Sequence, residues 1–293
     1  FSCKYYFIIK NELEAAARRA RGEIVGNAFS HSDIVTGGGA IALGLLLEYY
    51  GFEKYSRSGS VFTFNKDNKK VMMENFNKKL RYGILSSDMS DAERTSLLEM
   101  FNSDDNFNGE YCQIIISSPA SRDGINVANV LRGYLNMAGW HNSGTLQALA
   151  RFVRATSHAT ILSKMNTNKV DVKVYKLASI PNQSDIEAVD IKLYKLSEKK
   201  DIKIRRMMRF MKQCAFDCTL HHNRNIRSTD IDGSAECDYG NCAYKCYPSE
   251  MNAFVDEEET DFSTYDILYA DSIVEECKND IVSMFNELNI INI

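Results

Sequence analysis

The sequence predicts an α/β protein: an open parallel β-sheet flanked by helices, followed by a mainly α-helical extension. Within residues 1–180, short β-branched apolar runs alternate with stretches of helical periodicity, which is the pattern of a parallel sheet with crossover helices. Within residues 181–293, long amphipathic patterns replace the apolar runs. We therefore divide the chain into a sheet domain, 1–180, and a helical extension, 181–293, which contains a cysteine-rich segment, 214–246.

Each element of the sheet domain has its own signal. The run from Gln113 to Ile116 is short, apolar and β-branched, as in a strand that is buried on both faces. Ser90 and Glu93 have the spacing of a capping box and begin a helix that continues to about residue 101. The strand at 169–177 alternates polar and apolar residues, so we place it at an edge of the sheet. Other strands are expected at 21–30, 81–86 and 134–137, and other helices at 40–50, 185–213 and 272–288.

Composition argues against several classes of protein. With 293 residues, 44% of them hydrophobic, the chain can bury a substantial core, and no stretch of it is long and apolar enough to cross a bilayer. We find no signal peptide in it. Its 8 cysteines form no secreted framework, so we expect a reducing, cytosolic setting. A net charge of −4 is unusual for a protein that binds nucleic acid, but local basic patches decide such binding.

Gln147, Arg151 and Arg154 form the first candidate site. On a helix these residues would share one face, so both guanidinium groups would converge on a single anion. Guanidinium suits a phosphate because it is always charged and its planar fork matches phosphate geometry. A solvated helix with two arginines is the alternative, but the apolar neighbours Phe152 and Val153 indicate a largely buried helix. We therefore predict that both arginines bind phosphate.

A buried strand and a glycine-containing loop precede this helix. The strand ends in Ser117 and Ser118, and Gly124 and Asn126 follow in the loop. The whole string SSPASRDGINVANVLRGYLNMAGWHNSGTLQALARFVRATSH, residues 117–158, resembles motifs V and VI of superfamily 2 helicases and translocases. In those motors, the second of two RecA-like domains supplies arginines to an ATP that is bound on the first.

Two further strings narrow the resemblance. RYGILSSDMSDAERTSLLEMFNSDDNFNGEY, residues 81–111, and RATSH, residues 154–158, are similar to helicases of large cytoplasmic DNA viruses, such as poxvirus-type transcription helicases and their African swine fever-like and giant-virus relatives. The resemblance implies a RecA-like fold for 1–180 and an enzyme that uses ATP and Mg²⁺ to act on DNA or RNA. It also implies a function in viral transcription in the host cytoplasm, in viral factories or in the virion, with viral RNA polymerase as a further partner.

The resemblance assigns ATP-side roles to five residues. It makes Arg154 the arginine finger, while Arg151 would hold the γ-phosphate. Gln147 would order the cleft in which ATP lies. Gly124 and Asn126 would lie near the same cleft.

The resemblance also implies nucleic-acid contacts in the loop of motif V. The hydroxyl groups of Ser117, Ser118 and Ser121 would meet backbone phosphates. Two positions depart from the family pattern. Ala150 stands where these motors usually carry glycine, and Asp123 precedes the loop glycine, whereas the acidic residue of the family often follows it.

Two motifs of a complete motor do not occur in this sequence. There is no Gly-x-x-x-x-Gly-Lys-Ser/Thr string, so a phosphate-binding lysine is lacking, and no Asp-Glu-x-His-like string to hold Mg²⁺. We therefore expect the C-terminal half of a longer motor, inactive without the first RecA-like domain of the same protein. The alternative is a non-catalytic RecA-like module that binds nucleic acid or a partner. A motor must have the missing phosphate-binding and Mg²⁺-binding motifs, Walker A and Walker B, encoded upstream in the same protein. A binding module need not have them.

The extension contains a basic helix. Arg205, Arg206 and Arg209 are interleaved with methionine and phenylalanine in the string DIKIRRMMRFMKQ, residues 201–213. One interpretation is a helix that follows a nucleic-acid backbone and contacts it through these arginines. The other is an amphipathic helix whose Met and Phe face packs on the sheet domain, with its basic residues in water. We favour packing for most of the helix and keep the three arginines as candidate contacts.

The cysteine-rich segment suggests a metal site. Cys237, Cys242 and Cys246 have the close spacing of structural zinc ligands, and Cys218 would complete a set of four. The alternative is a small helical subdomain in which reduced thiols are simply buried. Because the spacing permits both, zinc is a conditional addition to the predicted cofactors, ATP and Mg²⁺.

Overall fold

The computed structural model describes residues 2–56, 61–64, 66–73, 76, 78–86, 88–118, 125–181, 187–247 and 271–287. In these ranges the α/β fold with a helical extension is confirmed. The helices are α1 Cys3–Ala20, α2 Ala40–Tyr49, α3 Asp91–Phe101, α4 Asn142–Leu149, α5 Ala159–Met165, α6 Val189–Cys214, α7 Cys218–His221 and α8 Asp271–Glu287. The strands are β1 Asn27–His31, β2 Glu53–Lys54, β3 Phe62–Phe64, β4 Lys70–Met72, β5 Arg81–Leu85, β6 Ile114–Ser117, β7 Val130–Leu135 and β8 Lys173–Lys176.

Six strands form one sheet in the order β2-β5-β6-β1-β7-β8, and every neighbouring pair in it is parallel. β3 and β4 form a separate antiparallel pair. β8 lies at an edge of the large sheet, as its alternating sequence predicted. The register sets Ser117 of β6 opposite His31 of β1, and His31 opposite Leu135 of β7. The carboxyl ends of these three strands therefore meet at one edge, where open α/β sheets bind their ligands.

Helices cover both faces of the large sheet, as the alternation along β6 shows. Ile114 and Ile116 belong to a cluster that includes Ile8 of α1 and Leu43 of α2. Ile115 belongs to a second cluster, which includes residues of α3. All three isoleucines are fully buried. The uninterrupted apolar run of β6 follows from this arrangement, because neither face of the strand meets water.

α1 was not predicted from the sequence, and a buried ion pair ties it to the sheet. Glu12 is fully buried, and its carboxylate accepts hydrogen bonds from Arg132 Nε at 2.8 Å and from the Tyr134 hydroxyl at 2.7 Å. Gln113 Nε2 donates to the same carboxylate at 2.7 Å. Burial, and after it the negative charge of Glu12, raises the pKa of Tyr134, so this hydroxyl remains a donor.

The chain forms two compact units, and the division falls inside α6, between Ile204 and Arg205. The predicted domain boundary at residue 180 stays a prediction. The second unit contains the end of α6, α7, a 3₁₀ turn at His222–Arg224 and α8, with disulfides Cys218–Cys246 and Cys237–Cys242. In the described ranges, no helix has both the length and the apolar character that crossing a membrane requires.

Candidate functional site

The two candidate phosphate-binding arginines lie in a turn and not on a helix. α4 ends at Leu149, and the chain then turns through Arg151 to Arg154. Hydrogen bonds from Phe152 N and Val153 N to Leu149 O, at 3.1 and 2.9 Å, hold this turn. The prediction of one continuous helical face was therefore wrong, because the chain leaves the helix to bury Phe152 in the core. We call residues 150–154 the arginine turn.

Phe152 anchors the arginine turn to the sheet. Its side chain is fully buried, and its ring centroid lies 5.2 Å from that of Phe29 in β1. Gly133 of β7 leaves the space that the ring occupies, since a Cβ at that position would fall 2.3 Å from Phe152 Cζ. Because Phe152 lies between the two arginines in sequence, its packing fixes the backbone that presents Arg151 and Arg154.

Gly133→Ala is expected to destabilise the protein by about 1–3 kcal/mol, because the added methyl group overpacks the core against Phe152. Gly144→Ala is the matched control: it lies in α4, and a Cβ there meets nothing within 4 Å. We expect that control to keep or gain stability, since alanine is favoured over glycine inside a helix by about 1 kcal/mol. Urea unfolding measures the free energy of unfolding of both variants. Equal stability of the two variants would contradict the packing argument.

The end of the loop that follows β6 is held against the arginine turn. Val127 N donates to Arg151 O at 3.2 Å. The side chain of Asn102, at the end of α3, donates to Asn126 O and accepts from Ala128 N, both at 2.8 Å. Asn126 and Arg151, which the sequence analysis assigned to one site, are therefore brought together in the structure.

Exposure distinguishes the residues of this group. Arg154, Gln147 and Asn126 are exposed, whereas Arg151 is half-buried. Arg154 Nε donates to Ala150 O at 2.6 Å, and this bond steadies the side chain without using its terminal nitrogens. An exposed guanidinium on an anchored turn is suited to meet an anion that another domain presents.

Ser117 and Ser118 lie at the carboxyl end of β6, and their side chains are buried. Ser32 N donates to Ser117 O at 3.0 Å, so this end of β6 continues its pairing with the chain beyond β1. Contact between the two serine hydroxyls and a nucleic acid stays a prediction. Ser121 and Gly124 lie outside the described residues.

The sequence analysis missed a polar group beside these serines. His31 is buried at the end of β1, with Nε2 3.4 Å from Asp33 Oδ1. Asn136, directly after β7, donates through Nδ2 to Ser30 Oγ and through its backbone N to His31 O, both at 3.0 Å. The signal that would have found His31 and Asp33 is the polar string from Ser30 to Asp33, which directly follows apolar residues of β1.

Comparison with known proteins identifies the domain. Residues 42–156 match the family model described as the helicase conserved C-terminal domain. The chain carries a helicase C-terminal domain. The inferred helicase 087L of Invertebrate iridescent virus 3 is 34% identical over 222 residues, 75% of this chain and 21% of that protein. The inferred helicase 009L of Frog virus 3 is 32% identical over 167 residues, 57% of this chain and 17% of that protein.

A third relative comes from another group of large DNA viruses. An inferred ATP-dependent RNA helicase of Heliothis virescens ascovirus 3e is 26% identical over 231 residues, 78% of this chain and 22% of that protein. The recognition of a helicase of large DNA viruses is thus confirmed for the helicase C-terminal domain. Its membership of superfamily 2 stays a prediction. The chain spans about a fifth of the length of these relatives.

The basic helix that follows the helicase domain uses two of its three candidate arginines internally. Arg205 Nη1 donates to Ala235 O at 2.8 Å, and Arg209 Nη2 donates to Cys237 O at 2.6 Å. Arg206 is exposed. The interpretation in which the basic residues merely lie in water was therefore wrong for Arg205 and Arg209, because backbone carbonyls that are wholly or partly buried need donors. Nucleic-acid contact by all three stays a prediction.

The four predicted zinc ligands are paired with one another. Cys218 is bonded to Cys246 and Cys237 to Cys242. The prediction of a zinc site was wrong, because a sulfur atom in a disulfide has no thiolate to donate to the metal. Over the described stretches of the chain, no group of three or more His, Cys, Asp or Glu residues is arranged to hold a metal ion. Sequence spacing cannot distinguish a zinc site from a pair of disulfides, since both require the same cysteines to lie close together.

We expect four free thiols in protein that is purified without reductant. Cys3, Cys214 and Cys277 are exposed, whereas Cys112 is buried and its burial raises the pKa of its thiol to about 12. Titration with a chromogenic disulfide reagent should count the three exposed thiols in native protein and Cys112 only after denaturation. A count of all 8 cysteines in denaturant without reductant would contradict the disulfides.

Proposed function

We propose that this chain is the second RecA-like half of an ATP-dependent nucleic-acid helicase or translocase. ATP would lie between this domain and a first RecA-like domain of the same protein, which would also supply the Mg²⁺ ligands. The helicase family and the ATP-dependent relative support this proposal. By the same resemblance we place the motor in viral transcription, in the host cytoplasm or the virion, with DNA or RNA as its track and viral RNA polymerase as a partner.

The observation that carries the proposal is the exposed Arg154 on a turn that Phe152 anchors in the core. Phosphoryl transfer spreads negative charge over the γ-phosphate oxygens, so catalysis depends on positioned positive groups. A guanidinium that is already held in place stabilises this charge without further reorganisation. We assign the arginine finger to Arg154, γ-phosphate binding to Arg151 and ordering of the cleft to Gln147.

The bond between Val127 N and Arg151 O gives this site a mechanical connection. On one side of the bond lies the arginine turn, which would respond to ATP. On the other side lies the loop after Ser118, which would contact the nucleic acid. Closure of the ATP cleft would therefore shift the loop together with the turn, and cycles of closure and opening would move it along a strand.

ATP hydrolysis by the full-length protein, with and without single-stranded DNA or RNA, tests the proposal. We expect hydrolysis that nucleic acid stimulates, that the 293-residue chain lacks when it is alone, and that Arg154→Ala abolishes. A full-length protein without ATPase activity would instead favour a RecA-like binding module in which ATP has no part.

A further inference from the structure

In the second unit, one face of α6 holds the cysteine-rich segment. Arg205, Arg209 and Lys212 recur at i, i+4 and i+7 and so share this face. Arg209 Nη2 donates to Cys237 O at 2.6 Å, and Lys212 Nζ lies 2.7 Å from the buried carboxylate of Asp238. The basic face of the helix is therefore the one that packs inside the unit.

The opposite face of α6 is apolar and meets water. Met207, Phe210, Met211 and Cys214 lie at i, i+3, i+4 and i+7, and we call them the α6 stripe. The three larger side chains are 61, 59 and 64% exposed, and the cysteine is also exposed. A contiguous apolar patch of this kind commonly marks a place where another surface binds. Methionine suits such a surface because its flexible side chain adapts to its partner.

α8 has an uncovered apolar stripe of its own. Val274, Cys277 and Ile281 lie at i, i+3 and i+7, and all three are exposed; we call them the α8 stripe. α8 has five acidic residues and one basic residue. Beside the α6 stripe, Arg206 is exposed and supplies a positive charge, whereas Arg205, Arg209 and Lys212 face into the unit. An isolated helix of this length is marginal in water without a surface on which to pack.

We propose that α8 docks on α6 of the same chain, with the α8 stripe against the α6 stripe. Each stripe extends over two helical turns, so each covers the other when the helix axes lie about 8–10 Å apart. Residues 248–270 join the cysteine-rich segment to α8, so the docking takes place within one chain. An intramolecular occupant is favoured over a separate partner of equal affinity.

Chemical cross-linking of two native cysteines tests the docking. In a Cys3→Ser background, Cys214 and Cys277 are the exposed free thiols, one in each stripe. A bis-maleimide reagent that spans about one interaxial distance, roughly 10 Å, should join them in the 293-residue chain. An equal mixture of isotope-labelled and unlabelled chains, followed by peptide mass spectrometry, reports whether each cross-link lies within one chain or between two.

Two aspartate substitutions in α8 supply the matched comparison. Ile281→Asp places a charge in the α8 stripe and should lower the yield of the Cys214–Cys277 cross-link several-fold. Val282→Asp places the same charge at the next position, which is equally exposed but outside the stripe, and should leave the yield unchanged. Pairs of mixed isotopic composition would show that a second copy occupies the α6 stripe and would overturn the proposal. An equal yield in the two variants, or no cross-link at all, would overturn it as well.

Discussion

Arg154→Ala in the full-length protein is expected to lower nucleic-acid-stimulated ATP hydrolysis about a thousandfold or more, the usual effect of removing an arginine finger. The loss should fall mainly on kcat, because the guanidinium acts on charge that develops in the transition state. Binding of nucleic acid should be retained, since the arginine turn is held by Phe152 and not by Arg154. Steady-state hydrolysis and an equilibrium binding assay on the same preparation separate the two effects.

Two further variants make this prediction specific. Arg154→Lys keeps the positive charge but loses the planar fork, so we expect it to restore only a small part of the activity. Arg21→Ala removes another exposed guanidinium, which lies before β1 in the sequence and pairs with Glu23, and it should leave hydrolysis unchanged. If the Arg154→Ala enzyme hydrolysed ATP as fast as the Arg21→Ala enzyme, Arg154 would be excluded as the arginine finger.

The sheet could be predicted wherever a strand or helix carries its own local signal. β6 is buried on both faces and so reads as an unbroken apolar run, and the capping box at Ser90 and Glu93 forms as predicted. β2, β3 and β4 were missed because they are two or three residues long and largely exposed, so no pattern has room to develop. α1 was missed although its buried residues Tyr5, Ile8 and Ile9 have helical spacing; the charged Glu12 interrupts the apolar pattern on the same buried face.

The candidate site shows where a local pattern stops being sufficient. The spacing of Arg151 and Arg154 fits a helix, but the burial of Phe152 against Phe29 and Gly133 ends that helix early. Only the tertiary fold contains this information, because Gly133 lies on a strand well before the turn. The residue types still single out this segment as the candidate site, since guanidinium suits phosphate whatever the backbone conformation. Phosphate binding by Arg151 and Arg154 stays a prediction.

The extension shows a related limit. Interleaved basic and apolar residues in α6 predicted two faces, but the packing that we favoured was wrong: the Met and Phe face is exposed and the basic face packs inside the unit. The outcome depends on Asp238 and the carbonyl of Cys237, which accept from Lys212 and Arg209 and belong to a segment later in the sequence. A periodic pattern defines the faces of a helix, whereas the partner decides which face is covered.

Glu12→Ala is expected to destabilise the protein by about 3–5 kcal/mol, because it leaves the guanidinium of Arg132 buried without its counter-charge. Burial alone would lower the pKa of Arg132, but the Glu12 carboxylate more than compensates and the pKa is raised, so Arg132 stays charged in the folded protein. The hydroxyl of Tyr134 loses its acceptor in the same variant. Urea unfolding, monitored by circular dichroism, measures the loss in the free energy of unfolding.

A double substitution distinguishes a true ion pair from simple loss of packing. If charge is the cause, Glu12→Met with Arg132→Met should be far more stable than either single variant, since replacing both partners of a buried pair by apolar residues is often nearly neutral. Glu23→Ala, which removes an exposed carboxylate paired with Arg18, should change little and serves as the surface control. Additive losses in the double variant would show instead that α1 is held to the sheet by its apolar contacts, Ile8 and Ile9 foremost, and that the buried pair contributes no coupling.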